Sequence, residues 1–264
     1  MQTIRQVVTA VLVASSLGAS AALAQESDTF TWNGTLAEGR TVHLHNVNGE
    51  VRFEVGSGNT VAVRGEKRWR RGDPADVRIE ARALANGDVL VCAMWRERDT
   101  CEVSGIEGSG RRNDDYNNRN DVSVRFVVTV PAHANVDVNT VNGDVEVQEL
   151  RGNVEANTIN GDVEAASSGG PVEARTVNGS IRARGQIASD GLNYSTVNGS
   201  IELVLPQNSN ADVDLSTVNG RVSSDFPITF SGEINPRRIR AKLGNGGPSL
   251  RARTVNGGIR LVRQ

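Results

Sequence analysis

The chain has 264 residues, of which 38% are hydrophobic and only 4% are aromatic, so an aromatic-rich core is excluded. It carries 29 Lys and Arg residues against 31 Asp and Glu residues, a formal net charge of −2. This balance argues against a nucleic-acid partner, and the 28 Gly residues with recurring Val and Thr indicate β structure with thin aliphatic layers inside.

Residues 1–24 have the features of a secretory signal peptide. Arg5 supplies the positive start, Val7 to Leu17 is the apolar run, and Ala22-Leu23-Ala24 is a small-residue cleavage site. An uncleaved N-terminal anchor is the alternative. No later stretch approaches the roughly 20 apolar residues of a transmembrane helix. We therefore expect export, to the periplasm or the cell surface, of a single β-repeat domain over residues 25–264.

Residues 28–98 are expected to form irregular opening coils of that domain, because Thr41 to Val63 already shows the pattern of the repeat that recurs later in the chain. His43 and His45 share one face of a strand, which would suit a metal, but no third ligand is evident. No Gly-x-Ser-x-Gly motif accompanies the histidines. The sequence therefore predicts no catalytic residue, no metal and no cofactor.

A basic segment with one aromatic side chain follows in the opening coils, and it consists of Lys67, Arg68, Trp69 and Arg70. Cations beside an indole can bind an anionic polymer. A solvated strand end is the structural alternative, so this segment is a candidate binding site only.

Two cysteines, Cys92 and Cys101, are the only ones in the chain. In an oxidising compartment their short separation predicts one local disulfide, which would contribute roughly 2.5 to 3 kcal/mol by the loop-entropy model. The repeat pattern then breaks over residues 99–121 into Gly, Ser, Asn, Asp and Arg, which predicts a polar loop.

Residues 122–264 form the regular repeat array, in which a Val/Ile-Asn-Gly motif first seen at residue 48 recurs. The successive steps within the array are 18, 18, 20, 21 and 37 residues, the last being about two units. The seven asparagines of the motif are Asn48, Asn142, Asn160, Asn178, Asn198, Asn219 and Asn256.

Apolar residues alternate with polar ones on both sides of this motif, which predicts two short half-buried strands per unit joined at the Asn-Gly corner. The position two before the asparagine is Thr in all six units of the array. We expect the corners to be structural, since Asn and Gly tolerate the left-handed conformation of tight turns.

Two all-β folds fit these columns. In a β-solenoid, each unit of about 18–21 residues is one coil, and identical positions stack about 4.8 Å apart. In an antiparallel β-meander, each Asn-Gly pair is a hairpin turn. The solenoid is favoured because it explains why identical residues recur, and it stacks the outward positions Glu146, Glu164, Arg182 and Glu202.

The Thr-Val-Asn-Gly-x-Val repeat, the export signal and the Val128-Thr129-Val130-Pro131 segment resemble the DUF4097-type adhesin family of bacterial β-strand-repeat proteins. The resemblance covers nearly all of the mature chain and is strongest from about residue 125 to the end. It implies a β-solenoid-like fold and an envelope or surface role, and it brings no shared catalytic residues.

The C-terminal part is strongly basic, because no Asp or Glu follows Pro236. This stretch is the better candidate for anionic lipid or polysaccharide, although it could instead compensate acidic neighbours or cap the solenoid. The candidate residues are Arg237, Arg238, Arg240, Lys242, Arg251, Arg253 and Arg260.

These features predict a non-enzymatic exported module that presents a rigid repeat surface to a cell-envelope polymer or a surface protein. One alternative is a periplasmic envelope-stress or assembly factor that acts through a protein partner. The other is a polysaccharide-active β-helix enzyme, for which no pair of carboxylates stands out in the sequence.

Overall fold

The computed structural model describes residues 28–108, 120–189, 191–230 and 237–264, so the predicted signal peptide lies outside the described residues. One short 3-10 helix, Pro74–Asp76, accompanies the strands. The strands are β1 (Asp28–Thr35), β2 (Thr41–His45), β3 (Val51–Gly56), β4 (Thr60–Arg68), β5 (Arg78–Ala83), β6 (Val89–Met94), β7 (Asp99–Glu102), β8 (Gly105–Gly108), β9 (Ser123–Pro131), β10 (Asn135–Asn139), β11 (Val145–Leu150), β12 (Val154–Asn157), β13 (Val163–Ser167), β14 (Val172–Arg175), β15 (Ile181–Arg184), β16 (Leu192–Ser195), β17 (Ile201–Leu205), β18 (Ala211–Asn219), β19 (Val222–Ser224), β20 (Ile228–Phe230), β21 (Arg238–Leu243), β22 (Ser249–Asn256) and β23 (Ile259–Arg263).

Two long sheets face each other, and each coil contributes one strand to each sheet. Sheet A has the order β1-β4-β9-β3-β11-β13-β15-β17-β23-β19. Sheet B has the order β20-β21-β18-β22-β16-β14-β12-β10-β2-β6-β5. The two strands on either side of an Asn-Gly corner, such as β10 and β11, therefore lie in different sheets. The solenoid prediction is confirmed and the hairpin meander is wrong.

Identical repeat positions pair in parallel register, which is what the columns of the sequence require. Val145 pairs with Val163, and Val163 pairs with Ile181. The outward charges stack as expected, and Arg182 Nε lies 3.3 Å from Glu202 Oε1 on the next strand. Stacking of like on like therefore sets the register of the array.

The core lies between the sheets and is built from the inward residue of each alternating pair. Most inward positions are Val, Ala, Ile or Leu, and one continuous buried cluster runs from Leu36 to Leu261. Tyr194, Phe53 and Phe126 are the largest fully buried side chains. Each buried aliphatic side chain contributes about 1.5 to 3 kcal/mol, so many thin layers replace one large aromatic core.

The order of coils in space differs from their order in the chain at both ends. The last coil in the sequence, β22 with β23, lies between the β16–β17 coil and the β18–β19 coil. At the other end, the β2–β3 coil lies between β10–β11 and a coil made of β6 and β9. The 37 residues from Asn219 to Asn256 therefore do not form two successive coils. The chain passes through β19, β20 and β21 and then returns to form the β22–β23 coil inside the stack.

Antiparallel strands close both ends of the solenoid. At the N-terminal end β4 and β1 extend sheet A beyond β9, and β5 extends sheet B beyond β6. At the C-terminal end β21 and β20 extend sheet B beyond β18. These strands cover solenoid edges whose unpaired backbone groups would otherwise recruit other chains.

A two-stranded hairpin, β7 with β8, packs on the outer face of β6 and corrects part of the predicted loop at 99–121. The disulfide between Cys92 and Cys101 is confirmed, with 5.8 Å between the two Cα atoms. Together with Leu90 and Met94 the two cysteines form a second small core. That apolar contact holds the hairpin, while residues 109–119 of the predicted loop lie outside the described residues.

Within the described ranges, no helix reaches the length and apolar character that spanning a membrane would require.

Candidate functional surface

The asparagines of the corners form a ladder of side-chain amides along one edge of the solenoid. Asn178 Nδ2 donates to Asn160 Oδ1 at 2.7 Å, and Asn198 Nδ2 donates to Asn178 Oδ1 at the same distance. The ladder continues from Asn198 through Asn256 to Asn219, following the interchanged order of the coils. Asn160, Asn178, Asn198 and Asn256 each donate one amide hydrogen bond along the ladder and accept one, so neighbouring coils satisfy each other.

The corner asparagines are not left-handed, which corrects the conformational reason expected for them. Among the described residues, only glycines have a positive φ. The glycine after each asparagine is required by close stacking, because a Cβ at Gly179 would overlap the carbonyl oxygen of Gly161. Asn is therefore selected for its ladder and Gly for the absence of a Cβ.

The outer face of sheet B carries three columns of side chains, at positions five, three and one before the corner asparagine. The first column is mostly acidic, with one arginine near its C-terminal end, in the spatial order His43, Asp137, Glu155, Glu173, Asn193, Arg251 and Asp214. The second column is mostly polar, and the third, immediately before the ladder, is Val or Ile.

The third column was not anticipated, although its residues belong to the repeat motif. Ile159, Val177, Val197 and Val255 are 39–44% exposed, and Val218 is 56% exposed. Because the threonine beside each of them points into the core, strand alternation turns the Val or Ile outward. The same in-and-out alternation of side chains, extended by one residue past the threonine, predicts this exposed aliphatic stripe.

The structure brings most of the predicted C-terminal basic residues together on three adjacent strands of sheet B. Arg251 and Arg253 project from β22, and β21 carries Arg238, Arg240 and Lys242. On β18 between them lie Asp212 and Asp214, so five cationic side chains face two carboxylates. We call these five cationic residues the basic cluster.

Ion pairing within the basic cluster is uneven. Asp214 lies 3.6 Å from Arg238 Nε and 3.7 Å from Arg240 Nε. Arg251 and Arg253 are exposed and form no ion pair in the part of the chain that the structure describes. Their guanidinium groups are therefore available to an external anion.

Two of the predicted basic residues lie elsewhere. Arg260 projects from β23 on sheet A, the opposite face, where its guanidinium lies 3.4 Å from Asp225. Arg237 is exposed one residue before β21. Position in the sequence alone had placed Arg260 in the same group.

The N-terminal basic segment does not form an open cationic patch. Lys67 Nζ lies 2.8 Å from Asp28 Oδ2, and Arg68 lies 3.3 Å from Glu66. Trp69 packs against the main core, whereas Arg70 is exposed. The segment is at the opposite end of the solenoid from the basic cluster, and two of its three cations are neutralised.

The two histidines of β2 have different environments on the outer face of sheet B. His43 Nδ1 lies 2.9 Å from Asp137 Oδ2, and this hydrogen bond raises the pKa of His43, with Asp88 adding a smaller attraction. His45 is buried, and burial lowers its pKa. Nearby His, Cys, Asp and Glu side chains form no group of three or more suited to a metal within the described residues.

Comparison with known proteins identifies the repeat array. A family model described as Toastrack DUF4097 matches residues 116–262. No curated protein matches the sequence.

Several solved structures are similar at low identity. A putative cell adhesion protein from Clostridium sporogenes is 11% identical, with a TM-score of 0.47 over 90% of this chain and 100% of that chain. A putative adhesin from Bacteroides fragilis is 11% identical, with a TM-score of 0.38 over 89% and 97% of the two chains. One from Parabacteroides distasonis is 13% identical, with a TM-score of 0.28 over the same shares. Because the family model covers more than half of the sequence, the chain belongs to the Toastrack DUF4097 family.

Proposed function

We propose that this protein is a non-enzymatic exported binding module that holds an anionic cell-envelope polymer on the outer face of sheet B. The observation that carries the proposal is the pair Arg251 and Arg253, exposed and without an ion-pair partner among the described residues. An arginine guanidinium can bind a carboxylate or phosphate through two parallel hydrogen bonds. Two of them on one strand would bind successive anionic groups of a polymer.

The rest of the basic cluster supports an extended ligand. β21 lies two strands from β22, which is about 10 Å at the usual spacing of strands. Arg238, Arg240 and Lys242 would therefore meet a second segment or a second charge row. Because the cluster is part of a hydrogen-bonded sheet, the backbone that carries its cations is ordered before binding, which leaves only the side chains to be ordered.

Export is part of the proposal, and the disulfide supports it. Disulfides persist in oxidising compartments, which include the periplasm and the cell exterior. The role of a binding module in place of an enzyme is supported by the outer-face carboxylates of sheet B, which are distributed along the repeat columns, and most of which lie in ion pairs with neighbouring side chains. Glu155, for example, lies 2.9 Å from Arg175.

Binding of residues 25–264 to isolated envelope fractions and anionic polysaccharides, measured across a salt series, tests the proposal. We expect saturable binding that weakens as salt rises, because exposed charge contacts are screened. The double variant Arg251→Ala/Arg253→Ala should bind about 30-fold more weakly, since each cation near an anionic surface contributes about 1 kcal/mol.

A matched control exists on sheet A. Arg182→Ala/Arg184→Ala removes the same charge from β15 on the opposite face, where both side chains project outward, and it should leave binding nearly unchanged. Equal losses in both variants would mean a nonspecific effect of net charge and would contradict a site on sheet B. Absence of binding to every fraction would instead favour a protein partner, as in an envelope-stress or assembly factor.

A further inference from the structure

Strand β1 is the outermost strand of sheet A at the N-terminal end of the solenoid. It pairs with β4 along its whole length, from Asp28 opposite Lys67 to Thr35 opposite Thr60. Within the described ranges, the β1 backbone forms no hydrogen bond except those to β4. Successive residues of an antiparallel strand direct their backbone groups to alternate sides. Every second residue of β1 therefore presents an unpaired N–H and C=O at the free edge.

The other strands at sheet edges are protected against pairing with a further strand, whereas β1 is not. At the C-terminal end, β19 and β20 have only 3 residues each. On β5, Arg78 and Arg82 donate to backbone carbonyls of β7 at 2.8 Å, and Glu80 lies between them. Short length and charged side chains are common protections of edge strands. In contrast, β1 has 8 residues without Pro, Lys or Arg, and its one charged residue, Asp28, is its first and pairs with Lys67.

The inward face of β1 is only partly covered. Sheet A continues for two strands beyond β9, but sheet B continues for one strand beyond β6, so β1 has no strand opposite it. Phe30 and Trp32 point inward and pack against the margin of the core, yet both are only half-buried. The Trp32 indole lies along Gly34, where a Cβ would overlap the ring. This end of the solenoid therefore combines a free backbone edge with two partly exposed aromatic side chains.

We propose that β1 pairs with β1 of a second copy of this chain, antiparallel about a two-fold axis, so that sheet A runs continuously through both molecules. A strand that pairs with itself satisfies both free edges at once, and two-fold dimers are the commonest homo-oligomers. The axis passes beside Thr31, so that Thr31 of one copy lies opposite Thr31 of the other. In this register every inward residue lies opposite an inward residue, so both cores lie on the same side of the sheet.

The side chains of β1 are compatible with pairing in this register. Phe30 of each copy lies opposite Trp32 of the other, and aromatic pairs are favourable neighbours across strands. Asp28 lies opposite Gly34, so no like charges meet between the two strands. Residues 28–34 of the two copies would form about seven backbone hydrogen bonds. A typical protein interface has about 10 direct hydrogen bonds, so the pairing has enough of them to hold a reversible dimer.

The dimer places the two basic clusters at its outer ends, because each cluster lies at the end of its solenoid that is remote from β1. Both B sheets lie on the same side of the continuous sheet A, so their outer faces point in the same direction. Two linked sites bind a common partner more tightly than one site when both can engage it. This consequence rests on the proposed anionic ligand, whereas the dimer itself does not.

Sedimentation velocity of residues 25–264 between about 1 and 200 µM tests the pairing, and we expect a reversible equilibrium of monomer and dimer. Thr31→Lys should raise the dissociation constant of the dimer about tenfold or more, because two like charges would then face each other at the axis. Thr31 is exposed, so this change should leave the folded monomer intact. Thr60→Lys adds the same charge at an exposed position of β4, away from the free edge, and should leave dimerisation unchanged.

Charge complementation completes the test. Thr31→Glu alone should also weaken the dimer, and an equimolar mixture of the Thr31→Lys and Thr31→Glu chains should restore it, because opposite charges then meet at the axis. The Arg251→Ala/Arg253→Ala variant should dimerise as the wild type does, which separates this proposal from the anionic surface. A wild-type chain that stays monomeric over the whole range, or a Thr31→Lys chain that dimerises as tightly as wild type, would overturn the proposal.

Discussion

Individual side chains in this solenoid are selected by what lies directly above and below them in the stack. The corner glycines show this most directly, since Gly179 has no positive φ and is still required. The threonine column beyond Thr140 and the asparagine ladder are satisfied in the same way, by the corner or the equivalent residue of the adjacent coil. The effect of a substitution on stability therefore depends on the residues directly above and below it along the solenoid axis.

Replacing Gly179 by Ala is expected to lower the free energy of unfolding by about 3 kcal/mol, because the new Cβ would overlap the Gly161 carbonyl and force the coils apart. Urea denaturation measures the effect. Gly258→Ala is the control, since its Cβ would be 3.3 Å from the nearest atom, the Arg221 carbonyl oxygen. A Gly179→Ala protein as stable as Gly258→Ala would show that the stack is more open than described.

Protonation of His43 should stabilise the fold at low pH. Its pKa is raised in the folded protein above the ordinary 6.5, chiefly by the hydrogen bond to Asp137. The stabilisation is therefore complete below pH 6.5 and is lost as the pH rises through the raised pKa. The stability difference between wild type and His43→Gln should be larger at about pH 5.5 than at about pH 9.

The carboxylate partner provides the check on this pH dependence. In an Asp137→Asn background, the same His43→Gln comparison should vary less between the two pH values. If the variation persisted undiminished, Asp137 would not be the group that raises the pKa of His43.

At the scale of elements, the sequence pattern predicted the strands of the array well and the ends poorly. Period-2 alternation and the repeat spacing located both strands of each regular coil. The hairpin β7–β8 was missed because it is short, polar and outside the repeat. Its stability comes from packing on β6 and from the disulfide, which local propensity does not reveal.

Removing the disulfide should loosen this hairpin more than it loosens the array. The Cys92→Ala/Cys101→Ala variant is expected to lose about 2.5 to 3 kcal/mol of local stability, because the closed loop no longer limits the open state. Hydrogen exchange should increase over residues 99–108 and remain slow over 145–205. Equal exchange in wild type and variant at 99–108 would show that apolar packing alone holds the hairpin.

For the whole molecule, the interchanged order of the coils determines which strands must be in place before others can pair. The final coil in the sequence is internal in space, so β18 and β19 can pair with the rest of the solenoid only through β22 and β23. The coil formed by β18 and β19 can therefore join the solenoid only after β22 and β23 have paired with β16 and β17.

Ending the chain after Pro248 tests this arrangement, because it deletes β22 and β23. We expect β19, Val222–Ser224, to lose its hydrogen-exchange protection, since β23 is its one neighbouring strand among the described residues. Deletion of β1, which lies at the edge of sheet A, should leave strands beyond β4 unaffected. Retained protection in β19 after the truncation would mean that the coils can close in chain order.

The candidate surface was also predicted only in part from the sequence. The sequence predicted that the C-terminal basic residues form a group, and alternation placed Arg251 and Arg253 outward. It could not assign Arg260 to the opposite face, because the corner between β22 and β23 reverses the side on which outward residues lie.

By itself the sequence determined the solenoid, because its columns of identical residues are stable only when equivalent positions stack. It also determined which residues face the core and which disulfide forms. Only the tertiary structure decided the order in which coils stack and the side chains that meet across that order. The physical reason is that every coil presents nearly the same edge of Asn, Gly and backbone groups, so local pairing alone does not distinguish one neighbour from another.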